Sequence, residues 1–380
     1  MRMEQPAAFL SGKLQPLCLD RKFQLRVSGS RQQFRGRRRP ILVARVGIGV
    51  IGAGRIGQVH AATIARLMNA ELRGIADPIE AAGRKVAESF QTAYFPDYRT
   101  LLEDPDVQGV VIGSPTPFHA EQMIAAAEAG KHIFCEKPIS NDLATIDRCL
   151  EVVRTSGVKL LVGFQRRFDS NFSYVRDQIE RGTIGQVRMF HIHSRDPAPP
   201  PAEYLAKSGG IFLDMCSHDY DMARFVTGQE IEEVYVVGKA FDPEAQAAND
   251  LDTHITVLRM SGGVMGTIDN SRRCAYGYDQ RIEVFGSDGS LIGQNKSKHS
   301  VVAAGQDGYH HGRPFDFFMD RYLEAYGNIM TAFVQMIERG TDPPVSGLDG
   351  RAPVLAALAA ARSVKENRPV KLSEVDIRMR

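Results

Sequence analysis

From Arg45 onward the chain alternates short apolar runs with stretches of helical periodicity. Val46 to Ile51 is the first run, and Ile56, Val59, Ile64 and Leu67 follow it three to five residues apart. The same alternation predicts strand Leu72 to Ala76, helix 79–90, strand 92–95, helix 97–103 and strand Val107 to Gly113. It continues with a helix from His119 to Ala129, strand Lys131 to Cys135, helix 142–156 and strand Val158 to Phe164. Strands alternating with helices predict a parallel, doubly wound sheet of about six strands over residues 45–167.

The pattern then changes. A helix at 172–181 and a strand from Val187 to Ser194 lead to a proline-rich stretch at 197–201 that has no period and is expected on a cleft rim, where Tyr204 and Lys207 could reach a substrate. After a helical segment at 209–225 come strands at 232–241, 252–260, 264–274 and 279–293, the last bent at the turn signal Gly286 to Gly289. Short turns between consecutive strands predict an α+β domain at 168–380 with an open, largely antiparallel sheet. Helices at 316–339 and 350–366 close the chain.

Residues 1–45 fit neither period. They hold 11 Lys and Arg against 2 acids, a net charge of +9, while the remainder carries 36 bases and 43 acids, a net of −7. Arg-rich, acid-poor composition is the mark of a mitochondrial or plastid transit peptide. Phe9 and Leu10 are too short an apolar core for a secretory signal. A disordered extension, an early start codon and a functional basic arm are the other readings of residues 1–44, and without a leader the expected location is the cytoplasm. The acidic body argues against a nucleic-acid surface, and no apolar run is long enough to cross a membrane. With 43% apolar and 24% charged residues the body reads as globular. Cys18, Cys135, Cys149, Cys216 and Cys274 are odd in number and show no CxxC spacing, so neither a disulfide framework nor a zinc site is expected, and the compartment is read as reducing. His310-His311 reads as a solvated loop rather than a metal pair.

Candidate chemistry starts at the first turn. Gly52, Gly54 and Gly57 form a GxGxxG that follows a strand and opens a helix. Gly52 suits the tight turn, Gly54 a close approach of backbone amides to a pyrophosphate, and Gly57 the packing of helix on strand; the helix N-terminus favours the negative charge. Asp77, ending the second strand, is placed to accept both ribose hydroxyls and to repel a 2'-phosphate, which favours NAD over NADP. This is a Rossmann arrangement, and its ligands lie beyond the carboxyl ends of the strands. Lys137, between Glu136 and Pro138 at such an end, is a candidate catalytic cation, and Lys137-Pro138 is a candidate cis bond. Pro115 to Phe118 would lie in the same cleft.

The segment GGIFLDMCSHDYDMARF, Gly209 to Phe225, places Asp214 and His218 four apart, with Asp221 three further on, all expected on one side of a helix. A carboxylate beside an imidazole suits general base chemistry. The same spacing is also common in surface ion pairs.

Taken in order, GVIGAGRIGQVHA, Asp77, CEKP, GFQRRFD and the LDMCSHDYDMARF helix resemble the Gfo/Idh/MocA family of NAD(P)-dependent sugar and polyol dehydrogenases, from about Arg45 to the C-terminus. Within it the likeness is greatest to the members that oxidise inositol. The resemblance implies a catalytic set of Lys137, Asp214 and His218. It implies cofactor contacts from Gly52, Gly54, Arg55, Ile56, Gly57, Asp77, Pro115, Thr116, His119, Glu136 and Lys137. Substrate contacts would come from Lys137, Arg166, Asp214, His218 and the tyrosine of CAYGYDQ, Tyr278 or Tyr276. Gln165 stands where many inositol enzymes have Met, which leaves the polyol open. The family's open sheet packs a partner subunit, so a homodimer or homotetramer is implied, and its C-terminal helix returns to the first domain.

The expected activity is NAD-dependent oxidation of a secondary hydroxyl of a cyclic polyol, inositol first, with no metal. His218 would take the proton, oriented by Asp214, and Lys137 would hold the reacting oxygen. Oxidation of another sugar or a nucleotide sugar, an NAD-retaining glycosidase of the same family, a sensor that has kept the fold, and a nucleic-acid-binding protein are the rivals. The intact Lys137, Asp214 and His218 set opposes the sensor.

Overall fold

The computed structural model describes residues 45–205 and 207–376, so the basic leader, with Cys18, lies outside the described residues. Six parallel strands form the first sheet: β1 (Val46–Ile51), β2 (Ala70–Ala76), β3 (Ala93–Phe95), β4 (Gly109–Ile112), β5 (His132–Cys135) and β6 (Leu160–Val162). Their order is β3-β2-β1-β4-β5-β6, so the direction of winding reverses between β1 and β4. The crossovers carry α1 (Arg55–Ile64), α2 (Glu80–Ser89), α3 (Tyr98–Leu102), α4 (His119–Glu128) and α5 (Leu143–Ser156). Asp97 and Asp142 cap α3 and α5, accepting the amides of Arg99 and Thr145. β1 and β4 are buried along their whole length, as strands covered on both faces must be.

The second sheet has seven strands: β7 (Val187–Arg195), β8 (Ile231–Lys239), β9 (Thr253–Met260), β10 (Met265–Ser271), β11 (Asp279–Gly286), β12 (Ser290–Gly293) and a short β15 (Val370–Lys371), in the order β12-β11-β7-β10-β9-β8-β15. Its pairs are antiparallel except β7 with β10, which run parallel. The stretch read as one bent strand at 279–293 is therefore the hairpin β11–β12. A separate hairpin, β13 (Val302–Gly305) and β14 (Gly308–His311), takes in His310 and His311, which were expected in a loop; both are exposed and His310 pairs with Asp307 at 2.9 Å.

The remaining helices are α6 (Ser170–Glu180), α7 (Ala202–Leu205), α8 (Ile211–Asp214), α9 (Ser217–Thr227), α10 (Pro243–Ala247), α11 (Phe318–Arg321), α12 (Leu323–Arg339) and α13 (Gly347–Glu366). Two expected helices are broken. The one at 316–339 divides at the buried Tyr322. The one at 209–225 divides after Asp214: Cys216 N–H bonds back to Ile211, five residues earlier, and a new helix starts from the Cys216 carbonyl.

α12 lies on the first sheet, packing Ile329, Met330, Phe333 and Val334 with Val46, Ile48 and Val50. The N-terminal turns of α13 approach β6 and α5: a Cβ on Gly350 would lie 3.1 Å from Val162, and one on Gly347 would lie 2.2 Å from Leu150. On β9 burial alternates strictly, so one face of the second sheet packs inward and the other is open. Val237, Ile255, Val257 and Met265 stand on the open face. Among the described residues no helix is long and apolar enough to cross a membrane, no cluster of metal-ligating side chains forms, and Cys135, Cys149, Cys216 and Cys274 are buried free thiols.

Candidate active site

The Gly-rich turn sits at the reversal point of the first sheet. Gly52 has φ +104°, and a Cβ on Gly57 would lie 1.9 Å from the Gly52 carbonyl oxygen, so the close packing of α1 on the turn requires both glycines. Gly54 is different: a Cβ there would meet nothing within 4 Å, and no side chain caps the amides of α1. An open turn below uncapped amides fits a pyrophosphate. Asp77 is fixed at the rim, its two carboxylate oxygens accepting the amides of Ala53 at 2.7 Å and Ile79 at 2.8 Å. Each oxygen keeps lone-pair capacity for a ribose hydroxyl. Arg55 is exposed and lies over the Phe317 ring, Ile56 approaches Gly113, and Pro115 and Thr116 form the rim beyond β4. These residues fit NAD.

Two residues expected at the cofactor, His119 and Glu136, have structural partners. His119 is buried, and its ring nitrogens lie 2.8 Å from the carbonyl oxygens of Ser114 and Pro138. It ties the loop after β4 to the loop after β5, and burial lowers its pKa. Glu136 bonds to His60 of α1 at 2.7 Å. Both contacts brace the segment that presents Lys137, whose bond to Pro138 is cis.

Lys137 Nζ donates to the main-chain oxygen of Asp214 at 2.8 Å. Burial lowers its pKa, against the opposing pull of Asp214 and Glu136. The Asp214 carboxylate does not reach for His218. Its Oδ1 accepts from the Tyr204 hydroxyl at 2.7 Å and its Oδ2 from Arg272 at 3.0 Å. The break between α8 and α9 removes the helical spacing that was to join acid and imidazole. His218 stands edge-on to Phe164, its Nδ1 buried without a hydrogen-bond partner. Burial, and then the charges of Lys137 and Arg166, hold its pKa well below the ordinary imidazole range. The imidazole is therefore held toward its neutral form, near Lys137.

Asp221, expected alongside Asp214 and His218, turns away to a two-bond pair with Arg167 at 2.9 and 2.6 Å. The acid that joins the site is Asp219, buried between Arg166 at 2.5 Å and Asn270 at 2.9 Å. Arg166 also donates to the Tyr278 hydroxyl at 3.3 Å. Of the two tyrosines, Tyr278 is the inner one; Tyr276 is exposed and bonds to Arg195 and Asp279. Lys207 is exposed.

Sequence reasoning missed Asp196 and Arg272. They follow β7 and β10 directly and lie side by side, because those strands are parallel and the Asp196 amide donates to the Ser271 carbonyl at 2.9 Å. Burial raises the Asp196 carboxyl to about 6, with Arg272 opposing and Asp214 adding to the rise. An acid just past an alternating strand was the available signal for Asp196; Arg272 had none, since its partners Asp214 and Asp250 come from other segments.

Residues 46–164 match the oxidoreductase family with an NAD-binding Rossmann fold, and residues 172–292 match the GFO/IDH/MocA C-terminal domain. Myo-inositol 2-dehydrogenase of Thermotoga maritima is 46% identical over 331 residues, 86% of this chain and 99% of that protein. Inositol 2-dehydrogenase of Rhizobium meliloti is 44% identical over 332 residues, 86% of this chain and 99% of that protein. The crystal structure of scyllo-inositol dehydrogenase from Lactobacillus casei with bound NAD(H) and scyllo-inositol has a TM-score of 0.80 at 30% identity, over 87% of this chain and 99% of that one. With both of its domains matched and such relatives along their whole length, this chain belongs to the GFO/IDH/MocA family of NAD-binding oxidoreductases.

Proposed function

We propose that the chain oxidises a secondary hydroxyl of an inositol to the ketone with NAD. The observation that carries this reading is the bond from Lys137 to the Asp214 carbonyl, which brings the end of β5 on the nucleotide sheet against the segment that presents His218. The inositol dehydrogenases among its relatives support the substrate class.

NAD, when bound, supplies the hydride acceptor. The neutral His218 takes the hydroxyl proton, and the Lys137 ammonium holds the reacting oxygen as negative charge develops on it. Asp214, held by Tyr204 and Arg272, accepts from a neighbouring hydroxyl of the ring. Asp219, Arg166 and Tyr278 form the buried wall behind these groups.

The open apolar face of the second sheet supports association of two or four copies, since Val237, Ile255, Val257 and Met265 would otherwise stand in water. The arginine-rich composition of residues 1–44 supports import into a plastid or mitochondrion, testable by fusing that segment to a fluorescent reporter.

The test of the activity is NADH formation from NAD with myo-inositol, scyllo-inositol, glucose, xylose and a nucleotide sugar. Turnover on an inositol above the other sugars is the expected result. Binding of NAD with no NADH from either inositol would overturn the substrate assignment and favour another sugar or a glycosidase.

A further inference from the structure

β7 and β10 are the parallel pair in an otherwise antiparallel sheet, and their pairing places two charged side chains together at their carboxyl ends. Register joins Arg195 to Ser271, and Arg195 bonds to Asp269 on the half-exposed side of the sheet. One residue further on, Asp196 and Arg272 take the opposite face, toward Asp214. Arg272 is among the largest fully buried side chains, 1% exposed. Its Nη1 donates to Asp214 Oδ2 at 3.0 Å; its Nε and Nη2 have no hydrogen-bond partner, and the next carboxylate, Asp250, is 3.7 Å away.

A buried guanidinium with a single short ionic bond is a poor contributor to stability, because desolvation costs several kcal/mol per ion and is repaid only by good geometry and further hydrogen bonds. Arg272 has the opposite: one bond, two unmatched donors and acids on more than one side. Its place in the site follows from Asp214, which has Tyr204 on one oxygen and Arg272 on the other. Lys137 acts on both Asp214 and Asp196, and Arg166 on Asp196, but Arg272 is the cation that bonds the Asp214 carboxylate itself, against a neighbouring acid whose like charge pushes it away in a dry site.

We propose that Arg272 is a positioning residue for the polyol oxidation, fixing the Asp214 carboxylate in one orientation and shielding it from Asp196. This rests on the reading that Asp214 belongs to the polyol site. Tyr204 is half-exposed, on the short helix after the proline-rich stretch, whereas Arg272 comes from the sheet. The sheet supplies the rigid half of the clamp.

The experiment compares full-length wild type with Arg272→Met, Arg272→Lys, Asp214→Asn and the Asp214→Asn/Arg272→Met pair. Losing one partner of a buried charge pair is expected to lower kcat/KM for inositol roughly 30-fold or more, with the Kd for NAD unchanged within about twofold and Arg272→Lys recovering part of the loss. Because Arg272 acts through Asp214, the double variant is expected to be no slower than Asp214→Asn alone. Multiplying losses would overturn the proposal. Crystal structures of wild type and Arg272→Lys with NAD decide the same question without turnover: the carboxylate is expected to leave its wild-type position in the variant. An unmoved Asp214 overturns the proposal, whereas a wild type silent on inositols, with Asp214 displaced in the variant, overturns only the substrate assignment. Arg272→Lys also covers the case in which Arg272→Met does not fold.

Discussion

Lys137 Nζ donates to the main-chain carbonyl of Asp214 at 2.8 Å, so two segments 77 residues apart meet at one ammonium group. Lys137→Met removes this tie and, on the proposed mechanism, the group that holds the reacting oxygen. Turnover is expected to fall about 10²- to 10³-fold, the size of a lost oxyanion donor. NAD titrations should show near-normal affinity. Loss of NAD binding in that variant would make the lysine a structural strut.

Asp77 is held at the rim by the amides of Ala53 and Ile79. Replacing it by serine removes the charge that opposes a 2'-phosphate. The ratio of kcat/KM for NADP to that for NAD is expected to rise at least about tenfold, a difference of about 1.4 kcal/mol. An unchanged ratio would place the ribose elsewhere.

Two desolvated groups, the buried His254 and the partly exposed Asp196, give opposite pH slopes. Burial lowers the His254 pKa to about 3, so the unfolded chain takes a proton near pH 6.5 that the folded chain refuses. Its contribution is full above pH 6.5 and is lost as the pH falls, by about 2 kcal/mol at pH 5. Asp196, raised to about 6, keeps a proton that the unfolded chain has released, so its contribution is lost as the pH rises through 6. Thermal melts of His254→Gln should fall less than wild type between pH 7 and pH 5. Asp196→Asn should melt above wild type at pH 8 and level with it at pH 4. Parallel curves for wild type and both variants would contradict these assignments.

Ile255 and Val257 are 55% and 46% exposed on β9. Lysine at both positions is expected to shift the sedimentation coefficient toward the monomer while leaving the thermal transition near its wild-type position. A wild type that already sediments as a monomer would show that this face is not covered by a second copy.

The first sheet was legible because each of its strands is a short apolar run followed by a turn signal and a helical period, and because local chemistry fixes the Gly52 to Gly57 turn. The site was legible only in part. Lys137 and His218 carry their own motifs, but the pairing of Asp214 with His218 was read from a spacing that holds only in an unbroken helix, and the chain breaks at Met215 and Cys216. Asp219 was overlooked in favour of Asp221 because neighbouring acids on a helix look alike until their arginines, Arg166 and Arg167, are placed. The parallel pairing of β7 with β10 joins segments some 75 residues apart, and no local pattern announces it; Asp196 and Arg272 depend on it entirely.

The most direct test follows deuterium from the carbinol carbon of inositol. With wild type, the label is expected in released NADH, and His218→Asn should slow its transfer by about 10²- to 10⁴-fold with NAD affinity intact. Label that never reaches NADH, or a His218→Asn variant as fast as wild type, would contradict hydride transfer with His218 as the base.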